Sequence, residues 1–336
     1  MPADSDLGLG LDVYGLRIAA ESDWSDVLES VRLDFQWFEC ERPAEPGVRI
    51  QIERRPPDYE AQGDVASAFV TPRNVVYQRG RLTAIDYFGR ALAVLDRSSG
   101  SLRVQGEDAQ LVHEAVYLFL LSRIGEHLDA RGLPRLHALG LSGSRGAVAI
   151  MLPSGGGKST LALQALQADG VKILSEDAPL LDRQGLLHPF PLRIGVNALD
   201  ADLLPPGAVR RIERMEFHPK LVLELTAFLD RIEPSPKPLR HIVLGRRSLG
   251  RTARLERIGR GDAVGPLLRE CVVGVGIYQG MEFVLQRGIR DVIGKLGTAR
   301  ARAACCLAGL RRANVWRLTL GRDHERNWEA LKPLLR

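Results

Sequence analysis

The chain has little that would tie it to a membrane, a metal cluster or a disulfide scaffold. Its 336 residues include four cysteines, Cys40, Cys271, Cys305 and Cys306. Their spacing fits no zinc-ligand pattern, and the adjacent Cys305-Cys306 pair is a poor disulfide candidate. No apolar run approaches the roughly 18 residues a membrane span needs. The first fifteen residues, MPADSDLGLGLDVYG, lack a basic stretch followed by an apolar core. A soluble, cytoplasmic protein in a reducing compartment is expected, with no membrane partner. Charge imbalance is also small: 46 Lys and Arg against 41 Asp and Glu leave +5, spread through the chain. That gives no reason to expect a nucleic-acid partner. Internal repeats and low-complexity tracts are missing, and no LSGGQ-like segment points to a transport ATPase.

What is present is 45% apolar residues, enough for two modest cores in a chain of this length. From Leu11 to about Arg103, alternating segments at 48–53, 74–78, 82–88 and 91–96 predict strands of a mostly antiparallel sheet. Asp26 to Phe35 has the spacing of a helix. Residues 107–130 predict a long helix that stops before Gly132 and Pro134. The expected organisation is an α+β domain over 1–106, a connecting helix over 107–133 and an α/β domain over 134–336. In the last of these, LHALGLSG, a turn at Ser142 to Arg145, the strand AVAIML and a helix to about Ala168 precede a strand in VKILSEDAPLLD. Further strands are expected in HPFPLRIGV, KLVLELT, PLRHIVLGRR and VWRLTLGR, a solvated loop over 231–238, and helices over 261–312.

The most informative segment is residues 147–160, AVAIMLPSGGGKST. An apolar strand runs into Ser154, Gly155, Gly156, Gly157, Lys158, Ser159 and Thr160, and then into a helical pattern. Glycines let backbone N–H groups turn toward a polyphosphate, and a helix starting near Lys158 directs its positive end at the anion. Lys158 is placed to reach the β- and γ-phosphates of ATP or another nucleoside triphosphate, and Ser159 to hold Mg²⁺. The usual G-x-x-x-x-G-K-[ST] pattern has glycine where this chain has Leu152, so the loop is a variant. One strand later come Ser175, Glu176 and Asp177. Beside a Mg-nucleotide, two carboxylates can divide metal contact and proton acceptance between them; otherwise they are ordinary turn residues at a strand end. His137, fifteen positions before Leu152, is either part of the site or a satisfied strand-end histidine.

With these three elements the chain resembles the HPr kinase/phosphorylase superfamily, bacterial serine kinases whose P-loop fold is related to phosphoenolpyruvate carboxykinase. The resemblance spans about 134–200. It implies Lys158 on phosphate, Ser159 on Mg²⁺, Asp177 as acceptor of the substrate hydroxyl proton, Glu176 as its metal-side neighbour and His137 near the γ-phosphate. The metal set would be Ser159, Glu176 and Asp177. Where that family has a Mg²⁺-binding Glu before an Arg-Gly segment, this chain reads Pro191-Leu192-Arg193-Ile194-Gly195. Within the superfamily it looks most like HPr-kinase-related proteins of peptide natural-product clusters, including lasso peptide kinases. The acceptor implied is a serine in a peptide or small protein, and a homo-oligomer is possible. A nucleotide-binding sensing module with little transfer activity, and a kinase for free serine, remain as alternatives. Arg210, Arg211, Arg214, Arg240, Arg246, Arg247, Arg251, Arg254, Arg257 and Arg260 suggest a solvated basic face, or a surface that steers an acidic partner.

Overall fold

A computed structural model describes residues 7–153, 155–197, 204, 207–212, 219–273 and 289–336. Ser154, Arg214 and His218 lie outside the described residues. The protein is a mixed α/β structure that separates into two compact units. One holds the chain through Ile124 together with Val209–Val222, and the other holds Gly125–Ala208 and Leu223–Arg336. The helix that the sequence suggests as a separate connector is therefore divided between them.

The first unit is built on a nine-stranded sheet of β1 (Leu7–Val13), β2 (Leu16–Ser22), β3 (Glu39–Cys40), β4 (Val48–Arg54), β5 (Ser67–Val70), β6 (Val75–Arg79), β7 (Leu82–Asp86), β8 (Ala91–Asp96) and β9 (Ser101–Gly106). Strand order is β3-β1-β2-β4-β9-β8-β7-β6-β5. Pairs β2–β4 and β4–β9 are parallel and the others antiparallel, the mostly antiparallel sheet that alternation predicts. In β4, Val48, Ile50 and Ile52 are buried while Arg49 and Gln51 face solvent, the period-2 pattern of a half-buried strand. Helix α1 (Ser25–Phe35) buries Val27, Leu28, Val31 and Phe35. The β1–β2 hairpin has no strong turn dipeptide. Tyr14 and Gly15 nevertheless both adopt positive φ, 55° and 86°, as a two-residue hairpin turn requires, and Asp12 accepts the Gly15 N–H at 2.7 Å.

Helix α2 (Ala109–Ala130) stops where the sequence places its end. Gly132, at φ 71°, donates to the Asp129 carbonyl, and Leu133 N–H reaches back to the Leu128 carbonyl at 2.9 Å, a glycine-terminated cap.

The second unit contains β10 (Leu139–Gly143), β11 (Gly146–Met151), helix α3 (Lys158–Gln167), β12 (Lys172–Ser175), β13 (Leu180–Leu181), β14 (Leu186–His188) and β15 (Ile194–Val196). β16 (Val209–Ile212) and β17 (Lys220–Leu223), which pair with each other, come from the Val209–Val222 segment of the first unit and its edge; the second unit continues with β18 (Lys237–Arg247), β19 (Arg254–Ile258) and β20 (Asn314–Leu320). The main sheet runs β12-β10-β11-β18, with β20 and then β19 continuing beyond β18. β11–β18 and β18–β20 are parallel; β12–β10–β11 and β20–β19 are antiparallel. Ala147, Ala149, Leu239, Ile242 and Val315 form a buried layer with Cys305 and Leu310 from the helix Ile289–Arg312 and with Ala313 just after it.

Two expectations need correction. The segment 231–238 is not wholly solvated. Ile232 and Glu233 are buried, with Glu233 N–H on the Ile173 carbonyl at 2.9 Å and its carboxylate accepting from Ser142 at 3.0 Å. A period-free Pro-rich stretch gave no sign of this docking. The strand VWRLTLGR over 315–322, which reads in the sequence as a closing strand, does not close the sheet, because β19 covers its outer edge. Arg211, Arg240, Arg246, Arg247, Arg251, Arg254, Arg257 and Arg260 are exposed, as a solvated basic face requires, whereas Arg210 is half-buried and pairs with Asp34 at 2.8 Å. All four cysteines are free, and no helix among the described residues is long and apolar enough to cross a membrane.

In the first unit, Asp34 is fully buried and shared between His113 Nε2, at 2.8 Å, and Arg210 Nη2, at 2.8 Å. Removing a buried carboxylate takes away the counter-charge of the Arg210 guanidinium. Asp34→Ala is expected to lower the stability of this unit by about 3–5 kcal/mol in urea unfolding; an unchanged midpoint would contradict that role.

Candidate functional site

The sheet topology gathers the site. β10 is antiparallel to both β11 and β12, so the residues before β10, after β11 and after β12 emerge at one end of the sheet. Main-chain bonds extend the alignment: Leu136 N–H donates to the Pro179 carbonyl at 2.9 Å and Ala138 N–H to the Asp177 carbonyl at 3.2 Å. His137 is therefore held beside Asp177 although 40 positions separate them in the sequence.

After β11 the chain turns through Leu152, Pro153 and the glycines into α3. Gly155 and Gly157 have φ of 69° and 106°, a region that favours glycine. Gly156 N–H bonds the Pro153 carbonyl at 2.8 Å, and a Cβ on Gly156 would lie 2.7 Å from that same oxygen. Leu152, where the usual loop has glycine, is buried with its side chain against Gly245 of β18; a side chain at 245 would collide with it. The substitution is thus accommodated by strand packing rather than by the loop.

Lys158, the first residue of α3, is 8% exposed. Its ammonium lies 2.7 Å from Asp177 Oδ1 and in close contact with His137 Nε2. The same ring nitrogen is 3.1 Å from Asp177 Oδ1. On the far side of the ring, Nδ1 donates to Glu270 Oε2 at 2.7 Å, since a carboxylate can only accept. Ser159 donates to Glu176 Oε1 at 2.7 Å. This sets a hydroxyl oxygen and a carboxylate oxygen side by side at the helix start, a donor pair that suits a hard cation completing its shell with phosphates and water. Among the described residues no group of three or more His, Cys, Asp and Glu forms a metal cage. Thr160 is half-buried on α3, next to Ser159.

The geometry sets the charge states. Burial lowers the His137 pKa, but the hydrogen bond and charge of Asp177, assisted by Glu270, overcome both burial and the Lys158 charge and raise it. For Asp177, burial acts to raise the pKa, yet the His137 hydrogen bond and the Lys158 charge hold it far below the ordinary carboxylate range. The Asp177 side chain is still 48% exposed, so water reaches this carboxylate while the ammonium and imidazole behind it are shielded.

Of the residues expected from sequence, His137, Lys158 and Asp177 form one connected cluster, and Ser159 with Glu176 forms a second pair next to it in the chain. Glu270 was missed. Its only signal was a single carboxylate within an apolar stretch, VGPLLRECVV, over 264–273. A scan against protein-family models finds no match to this chain, and a search of curated proteins finds none that matches.

The opposite shifts define a pH window. Asp177, depressed on folding, stabilises the fold above its unfolded value of about 3.9, and that contribution fades as pH falls toward its folded value. His137, raised on folding, contributes below about 6.5 and loses its contribution as pH climbs through the folded value. The stability difference between wild type and Asp177→Asn is therefore expected to peak between about pH 4 and 6.5. Urea unfolding across pH checks this; a pH-independent difference would contradict the coupling.

Proposed function

We propose that this protein is an ATP-dependent serine kinase of the HPr-kinase type, with a P-loop catalytic unit. It transfers the γ-phosphoryl group to a serine hydroxyl of a peptide or small protein, such as a natural-product precursor peptide of the lasso type. One observation carries this reading: the first two residues of α3 are bonded to the two carboxylates that follow β12, Lys158 to Asp177 and Ser159 to Glu176. Phosphate-binding, metal-binding and proton-accepting groups are thereby joined at one strand end.

In the proposed reaction the amides of the glycine loop and the N-terminal end of α3 bind the polyphosphate. Lys158 exchanges its carboxylate partner for phosphate oxygens, which frees Asp177 on its solvent-facing side. Asp177 accepts the serine proton as the serine oxygen bonds to the γ-phosphorus, and the bond from that phosphorus to the bridging oxygen breaks to release ADP. Ser159 and Glu176 are the residues that would hold Mg²⁺, which when bound offsets charge on the phosphate oxygens. His137, held beside Asp177, lies where it can stabilise the transferring group.

The alternative of a nucleotide-binding module with little transfer is favoured by one feature, Pro191-Leu192-Arg193 in place of an acidic metal contact. Asp177→Ala separates the two. It is expected to reduce phosphotransfer by about 10²–10⁴-fold while nucleotide binding persists, measured by initial rates and calorimetry. Equal loss of both would contradict the role of Asp177. Gly156→Ala, which forces the loop off the Pro153 carbonyl, is expected to weaken ATP binding about tenfold or more; unchanged affinity would contradict the cradle.

A further inference from the structure

We propose that Glu270 is the positioning residue for His137, a role that rests on the kinase reading above. Glu270 belongs to the helical segment Leu268–Val273. The main chain of that segment is already docked without the carboxylate, because His137 N–H donates to the Glu270 carbonyl at 3.0 Å. The side chain is thus free to serve another purpose. It is 8% exposed, and both oxygens are used: Oε1 accepts from Arg269 Nε at 2.7 Å and Oε2 from His137 Nδ1 at 2.7 Å.

The two partners are not equivalent. Arg269 is 61% exposed and its pairing is screened by water. The bond to His137 lies between two buried groups, where a misplaced or unpartnered carboxylate is costly. A buried carboxylate on one ring nitrogen fixes the ring plane and requires a proton on that nitrogen. Nε2 is then committed to the opposite side, where Asp177 and Lys158 both approach it. When Lys158 turns to phosphate, His137 would keep its orientation only through Glu270 and Asp177. Glu270 touches none of the reacting atoms; it acts through the imidazole.

The test uses full-length protein with ¹⁵N-labelled histidine. The His137 Nδ1–H resonance, assigned by its loss in His137→Gln, is expected downfield in wild type, shifted upfield in Glu270→Gln and lost to exchange in Glu270→Ala. In phosphotransfer assays, Glu270→Ala is expected to lower kcat about ten- to hundred-fold through misplacement of the ring, with KM for ATP changed less than about twofold. Glu270→Gln, which keeps shape and an acceptor, should recover part of that loss. An unmoved resonance in Glu270→Gln, or unaltered kcat in both variants, overturns the proposal. Should Glu270→Ala fail to fold, the isosteric Gln variant still decides on both readouts. If wild type itself transfers no phosphate, the kinase reading fails, and the resonance alone then decides whether Glu270 holds His137.

Discussion

The pairing of the buried Lys158 ammonium with Asp177 and His137 is the interaction on which the site depends. An ammonium taken out of water at the start of a helix, where the dipole is also positive, is doubly unfavourable without a counter-charge. Asp177 supplies that charge, and His137 lies against both. The sheet makes the arrangement possible, since only an antiparallel β10 between β11 and β12 brings the chain segments before the first and after the other two to one end. Packing and chemistry are consequently linked: the same strand ends that bury Leu136 and Ala138 present the polar groups between and beyond them.

Under the kinase reading, that pairing is the one nucleotide binding would replace. Lys158 is bound to a carboxylate with which phosphate oxygens would compete, and open space adjoins Gly155 in the loop before it. Under the kinase reading, nucleotide binding substitutes one anionic partner for another, so the buried cation is never left without one. Asp177, half exposed, becomes free on the side from which an acceptor would approach. The low pKa that Lys158 and His137 impose on it keeps it ionised, the state a proton acceptor needs.

Much of this was legible in the sequence because its signals are local. The strand, glycine loop and helix over 147–168 are contiguous, and the end of α2 is written in Gly132. The resemblance implied that His137 and Asp177 share a site, and the β10–β12 register brings the two side by side. The less legible features are non-local. Glu270 reaches His137 across 133 positions, and no pattern within either segment encodes that bond. Leu152 looked like a defect in the loop, yet it fills space left by Gly245 on a neighbouring strand. The β1–β2 hairpin was obscured by its glycines, which weaken strand propensity, and by a turn at Tyr14-Gly15 that lacks the usual Asn or Asp. Assignment of Val209–Val222 to the first unit likewise depends on long-range packing.

The most direct test of the central claim is intact-mass analysis of a panel of serine-containing peptides, an HPr-like protein and free serine after incubation with the full-length protein, ATP and Mg²⁺. The account predicts the mass of one phosphate added to a peptide or protein acceptor. Demonstrated ATP binding with no mass gain on any member of the panel would contradict it.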